Sequence, residues 1–315
     1  MQIPSSTLAR ALAFAAGLAL VFGVALAAGA TLGPVETEPR GHDDTHVEPV
    51  GSPATGSPQA VPGGLQSAQD GYRLVLADTR LSPGADRPVS FTIEGPEGAV
   101  TEYDVAHTKL LHLIAVRRDF EGFQHVHPTL ATDGTWATTL DLTGGSWRVF
   151  ADFTPAGGEP LTLGADLAVP GAAAAADPRP ETRSVTVDGY TVTLTGDLVA
   201  GAHSELTLTV TRDGRPVSDL QPYLGAYGHL VALREGDLAY LHVHPTGEPG
   251  DGVTAPGPDV TFGVEVPSRG DYQLYLDFRH DGVVRTAHLA LPASGSGHDG
   301  GGHDDGGHDD GGHGP

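Results

Sequence analysis

The sequence predicts an all-β protein built as two tandem β-sandwiches, on three observations. Short alternating runs such as Tyr72-Arg73-Leu74-Val75-Leu76 and Val89-Ser90-Phe91-Thr92-Ile93 recur between Pro-Gly, Asp-Gly and Gly-Gly turns, the pattern of sandwich strands. The 45 Gly and 25 Pro among 315 residues favour turns and short elements over long helices. Finally, the stretch His112 to Pro128 returns as His229 to Pro245, with the three matching histidines of each copy 117 residues apart. A period that long, carrying a whole hairpin, indicates a duplicated domain rather than a solenoid.

In chain order, residues 1–33 contain one cation, Arg10, and then no charged residue from Ala11 to Leu32. Such a run is long enough to span a bilayer as a helix. It also resembles a signal peptide, with Ala25-Leu26-Ala27 or Ala28-Gly29-Ala30 as small-residue cleavage sites. Its length favours an uncleaved anchor, and the charge order places the remainder outside the cytoplasm. Residues 34–70, rich in Pro, Gly, Ser and Thr, read as a flexible tether. The first sandwich is expected over 71–170 and an Ala/Pro linker over 171–184. The second sandwich, over 185–293, ends on Tyr272-Gln-Leu-Tyr-Leu-Asp-Phe278 where the first has Trp147-Arg-Val-Phe-Ala-Asp-Phe153. Each unit is about 100 residues, the size of an immunoglobulin-like sandwich, large enough to bury a core without disulfides. Residues 294–315 repeat Gly-Gly-His-Asp-Asp, a composition expected to be disordered.

Composition narrows the chemistry. Forty acidic residues stand against 17 basic ones, a net charge of −23, and Lys109 is the single lysine. That balance disfavours nucleic acid and anionic membrane surfaces as partners. There is no Cys, and Met1 is the sole Met, so thiolate and thioether sites are excluded and metal chemistry is limited to imidazole and carboxylate.

The repeated hairpin fits that limit. In a strand, residues i and i+2 share a face, so His125 and His127 project together, as do His242 and His244. A two-residue turn at Gly236-Asp237, closing Glu235 on Leu238, is expected in the second copy. In that register cross-strand partners sum to 473, setting His229 opposite His244. The same register in the first copy sets His112 opposite His127. Directly opposed Cβ atoms lie about 4.5–5.5 Å apart, so each unit is expected to gather three imidazoles, a geometry suited to Cu²⁺ or Zn²⁺ with an open fourth position. A one-residue slip would send the first His to the other face. The competing reading is structural, because the same face carries Ile114, Val116 and Phe123, among which ring nitrogens can satisfy buried backbone groups.

Outside the hairpins, Asp152 and Asp277 occupy matching positions. Two roles stand for them: supplying a carboxylate to a nearby ligand or orienting a histidine ring, or else bonding their own strand-end turn, with the last favoured. His107, His203 and His280 have no counterpart in the other unit and read as surface residues, while His288 matches Asp166. In the tail, His298, His303, His308 and His313 with adjacent Asp form a mobile chelator for collecting ions.

The segments His229-Leu-Val-Ala-Leu-Arg234 and His242-Val-His-Pro245, preceded by Pro222-Tyr223-Leu-Gly225, resemble secreted YtkA-like β-sandwich domains, in a tandem, membrane-anchored arrangement seen among actinobacteria. The resemblance covers residues 71 to 292. It implies the sandwich fold and, because such domains are often linked with copper handling, a role in binding copper.

The expected function is therefore extracytoplasmic, membrane-tethered binding of a divalent transition metal, Cu²⁺ before Zn²⁺, with a metal transporter or other envelope protein as partner. The alternative is a non-catalytic interaction module with structural histidines. An enzyme is not expected. The Glu that a cupin-type site wants soon after His-x-His is missing in the first copy, where Thr129, Leu130 and Ala131 follow. In the second copy Thr246, Gly247 and Glu248 follow.

Overall fold

A computed structural model describes residues 61–171, 180–241 and 243–295. These residues are all-β, without a helix, in a two-repeat architecture. Both repeats lie in one compact unit, Gln59–Pro315. Among the described residues no helix is long and apolar enough to cross a membrane. The apolar run expected to form an anchor lies outside them, as do residues 34–60 of the expected tether and 296–315 of the expected tail. Residues 61–70, expected to be flexible, are ordered, with Ala68–Gln69 paired to Tyr72–Leu76, and residues 294–295 end a strand.

Each repeat pairs two sheets around its own core. In the first, one sheet runs Ala68–Gln69, Tyr72–Leu76, Gly84–Gly95, Thr135–Leu142, Thr129–Leu130. The facing sheet runs Leu161–Val169, Gly145–Pro155, Leu111–Arg117, Gln124–Val126. Alternate residues of both sheets fill the space between them, among them Phe91, Ile93, Trp136 and Trp147, all essentially inaccessible. The second repeat copies this plan. Ser184–Val187, Tyr190–Thr195, His203–Arg212, Asp259–Glu265 and His244–Pro245 form one sheet. Leu198–Ala200, Val283–Gly295, Gly270–His280, Gly228–Arg234 and Tyr240–Leu241 form the other.

The strands that carry the repeated motif are buried on both faces. Leu111–Arg117 and Gly228–Arg234 each show six consecutive buried residues, which a sheet with one face in water does not produce. Leu111, Leu113 and Ala115 point into the first core. Ile114 and Val116 point the other way, into a third apolar cluster with Phe120 and Phe150 of the first repeat and Val231, Leu233, Leu238, Tyr240 and Tyr275 of the second. The apolar face of the hairpin is thus the seam between the repeats.

The seam has approximate two-fold character. Phe123 stacks on Tyr275 with ring centroids 3.9 Å apart, and the positions equivalent to these, Tyr240 and Phe150, meet at 5.6 Å. The chain just ahead of the first repeat is strapped across the same seam. Gly63 O accepts from Tyr240 N at 2.9 Å, and Gly64 N donates to Thr162 O at 2.8 Å. The buried Arg148 guanidinium donates to Gly64 O at 2.6 Å and to Leu65 O at 2.9 Å.

The hairpin register follows the sequence reading, whereas the turn differs. Ala232 pairs with Leu241 and Leu233 with Tyr240, and Leu113 pairs with Val126 and Ile114 with His125. The loop in the second hairpin is not a two-residue turn: Arg234 N donates to Ala239 O and Leu238 N to Arg234 O, giving a four-residue loop, Glu235 to Leu238. Glu235 N turns instead to Asp271 O at 2.8 Å. Widening a hairpin loop by a residue on each side leaves the strand register unchanged, which is why the pairing survives the wrong turn.

Candidate metal centre

In the first repeat the structure brings His112, His125 and His127 together, with one ligand atom from each lying within 4.8 Å of the others. Leu111–Arg117 supplies His112, whose even-numbered face looks into the seam. His125 lies on Gln124–Val126, and His127 follows at the point where the chain leaves this sheet for Thr129–Leu130 in the other. The ring centroids are 5.0 to 5.2 Å apart.

The hydrogen bonds around the triad fix which nitrogens carry protons. His112 Nε2 is 3.1 Å from Ala106 O. A carbonyl only accepts, so Nε2 holds the hydrogen and Nδ1 of the neutral ring is a lone pair. His125 Nδ1 is 2.8 Å from Asp277 Oδ2, so it donates to the carboxylate and turns Nε2 toward the cluster. His112 Nδ1 and His125 Nε2 face each other at 3.0 Å. Nearby, His127 Nε2 is buried with no hydrogen-bond partner.

Three imidazoles thus crowd one dry place with a buried nitrogen of His127 left unpartnered, an arrangement that an electron-poor ion between the rings would satisfy. An extra proton does not settle on His112, because burial first, and then the neighbouring His125, push its pKa down to about 3. Burial, with His125 and Lys109, holds His127 at about 4. A tetrahedral ion with Zn–N bonds of 2.0–2.1 Å wants its ligand nitrogens about 3.3 Å apart; His112 Nδ1 and His125 Nε2 stand 3.0 Å apart, and one ligand atom of each of the three rings lies within 4.8 Å of the others. The residues fit a divalent transition metal, with Ala106 O and Asp277 orienting the rings of His112 and His125 by accepting their outer N–H groups.

Asp277 shows that this centre is built across the seam. It comes from the second repeat, is 2 % exposed, and accepts from Thr286 Oγ1 with its other oxygen at 2.5 Å. The strand-end role favoured from sequence is therefore wrong for Asp277: its carboxylate orients a histidine of the other repeat. Asp152, the equivalent in the first repeat, lies opposite His112 in the ladder and accepts from Thr162 Oγ1 at 2.9 Å.

The second repeat does not assemble a matching triad among the described residues. His229 is buried, but its ring stacks on His112 at 5.6 Å and 7° and lies 4.9 Å from His125, so it joins the first cluster. His244 is exposed and pairs with Gly263 in the opposite sheet. The strand has already changed sheets there, so the extrapolated pairing with His229 is never reached. His242, like His298, His303, His308 and His313, lies outside the described residues.

Two histidines depart from their sequence reading. His107 sits on a tight turn, where Ala106 and Lys109 exchange both backbone hydrogen bonds and His107 and Thr108 take left-handed φ of 49° and 68°. Its ring is 5.9 Å from His112 and 5.4 Å from His229, at the rim of the cluster. His280 is buried, bonded to Tyr190 Oη at 2.8 Å and Asp219 Oδ1 at 3.0 Å. His203 is exposed, as expected, and His288 stacks on Tyr275 at 4.3 Å while bonding Gln273. The turn that carries His107 left no repeat signal, because the second repeat has Leu224 at the equivalent place.

Comparison with solved structures gives likenesses to the FdeC adhesin of Escherichia coli, at 18 % identity and TM-score 0.23, over 73 % of this chain and 65 % of that one. The adhesin InvE of Yersinia pseudotuberculosis gives 12 % identity and TM-score 0.21, over 70 % of this chain and 58 % of that one. The chain thus spans less than two thirds of either, and at these scores neither likeness bears on function. No curated protein matches the sequence significantly. A family model described as a domain of unknown function, DUF8832, matches residues 66–171 and again residues 185–295, and the chain therefore belongs to that family, carrying its domain twice.

Proposed function

We propose that this protein binds one divalent transition-metal ion at His112, His125 and His127, as a binding protein rather than an enzyme. The observation that carries the reading is the meeting of three imidazoles at one place, with two ring nitrogens 3.0 Å apart and a third buried without a hydrogen-bond partner. Nitrogen donors favour Cu²⁺ over Zn²⁺ by intrinsic affinity, with supply deciding between them. The sheet pairs are immunoglobulin-like sandwiches in this reading. The apolar run at 11–32 holds them outside the cytoplasm, and the tail histidines collect ions and pass them to the ordered site or to an envelope partner such as a transporter.

Equilibrium dialysis tests it on full-length protein whose four tail histidines are changed to Asn. The expected result is one tightly held Cu²⁺ per chain, lost on combining His112→Ala, His125→Ala and His127→Ala. Undiminished binding in that triple variant overturns the proposal.

A second reading is favoured by the near-parallel stack of His112 on His229 within the apolar seam. In it the protein is a non-catalytic interaction module, and the histidines pack the two repeats together. Melting curves with and without Cu²⁺ separate the two, since a specific ligand raises the midpoint by mass action and a purely structural cluster leaves it in place.

A further inference from the structure

The three proposed ligands belong to the first repeat, yet the group that orients one of them, His125, belongs to the second. Asp277 reaches His125 across the seam at 2.8 Å, with both side chains nearly inaccessible, at 3 % and 2 % exposure. We infer that ion binding in the first repeat is licensed by the second: Asp277 fixes the tautomer of His125, so that ion affinity and docking of the repeats are coupled through one hydrogen bond. This inference rests on the metal-binding reading above.

The chemistry follows from where the hydrogen of His125 can go. With Asp277 in place a hydrogen lies on Nδ1, and the ring is held with Nε2 turned to His112 Nδ1 at 3.0 Å. Without Asp277 the hydrogen is free to move to Nε2, where it is donated to His112 Nδ1 across the same 3.0 Å. That one shift satisfies both nitrogens and removes two of the three electron pairs an ion would need. The carboxylate therefore keeps the hydrogen on Nδ1 and Nε2 turned to the site, where an ion can bind it. His112 is held separately by Ala106 O of its own repeat, so the effect is confined to His125. Coupling is reciprocal: whatever factor docking adds to ion affinity, the ion adds to docking.

The test is ¹⁵N NMR of the imidazole rings in metal-free full-length protein, with Zn²⁺ affinity measured alongside. In the wild type His125 is expected as the Nδ1–H tautomer. Asp277→Ala moves it to Nε2–H, leaves His112 unchanged, and lowers Zn²⁺ affinity by about 10–100-fold, the usual cost of losing a second-shell partner. Asp277→Asn keeps an acceptor oxygen, guards against a folding defect, and restores the tautomer with most of the affinity. If the wild type binds Zn²⁺ and Asp277→Ala binds it as tightly, or keeps the Nδ1–H tautomer, the coupling is overturned while the metal site stands. If the wild type binds neither Zn²⁺ nor Cu²⁺, the metal reading is overturned and the coupling with it.

Discussion

His112 and His127 are held neutral by their surroundings, and in the metal-free protein this has a consequence in acid. Burial lowers the folded-state pKa of His112 to about 3 and of His127 to about 4, whereas both rings in the unfolded chain titrate near 6.5. Between these limits the unfolded chain binds more protons, so stability is complete above pH 6.5 and is lost as pH falls through the window. At pH 5 the term for His112 alone is about 2 kcal/mol, which for a protein of this size lowers the melting midpoint by about 5 °C. Metal-free wild type compared with His112→Asn between pH 7 and 5 isolates the effect, because the other titrating groups are common to both proteins. The expectation is a steep slope in the wild type and a shallower one in the variant; parallel curves would refute it. The same neutrality means that ion binding near pH 7 has few protons to displace from these two rings.

At the scale of the element, the hairpin that carries the triad depends on a loop that only glycine fits. Gly122 has φ of 67°, and a Cβ there would meet Trp147 Cη2 at 2.6 Å. Trp147 lies fully inside the first core and cannot yield. Gly122→Ala is expected to cost about 1–3 kcal/mol and to shift Gln124–Val126, weakening ion binding as well. Gly236 in the second hairpin has φ of 92° but no atom within 4 Å of the added carbon, so Gly236→Ala should cost only about 1 kcal/mol and leave binding alone. Equal effects of the two changes in melting and binding would contradict this account. These hairpins also mark how far the sequence could be read. Register was legible because a two-residue period and a repeat constrain it doubly, and the pairs Leu113–Val126 and Leu233–Tyr240 follow it. Loop form was not, since a four-residue loop gives the same register as a two-residue turn. Nor was the fate of His244, because the strand changes sheets according to which neighbour offers an open edge, here Asp259–Glu265, and that is a long-range fact. One signal was readable: the run Leu-His-Leu-Ile-Ala-Val lacks the alternation of a half-exposed strand, as a strand buried on both faces must.

For the whole molecule, duplication has produced an internal interface in place of two independent sites. The face that the hairpin pattern marks as apolar is closed by the other repeat, which brings Asp277 to within a hydrogen bond of a residue 152 positions away. No local pattern carries that pairing; the matched positions of Asp152 and Asp277 were its only trace. If the seam governs the molecule in solution, residues on its two sides must be energetically coupled although they belong to different cores. Phe123 and Tyr275 are the pair to use, being parallel to 6° at 3.9 Å, with Tyr275 Oη also donating to Phe120 O at 2.7 Å. A double-mutant cycle of Phe123→Ala and Tyr275→Ala, read by denaturant unfolding of metal-free protein, should return a coupling of about 1 kcal/mol, as stacked aromatic pairs do. Tyr275→Phe should by itself cost about 1 kcal/mol for the lost hydrogen bond. Phe278 is the control, because it is fully buried in the core of the second repeat, away from the seam, so its cycle with Phe123 should return a value near zero. A coupling for Phe123 and Tyr275 no larger than that control would mean that the repeats do not meet on this face, and the single shared centre would lose the carboxylate on which it depends.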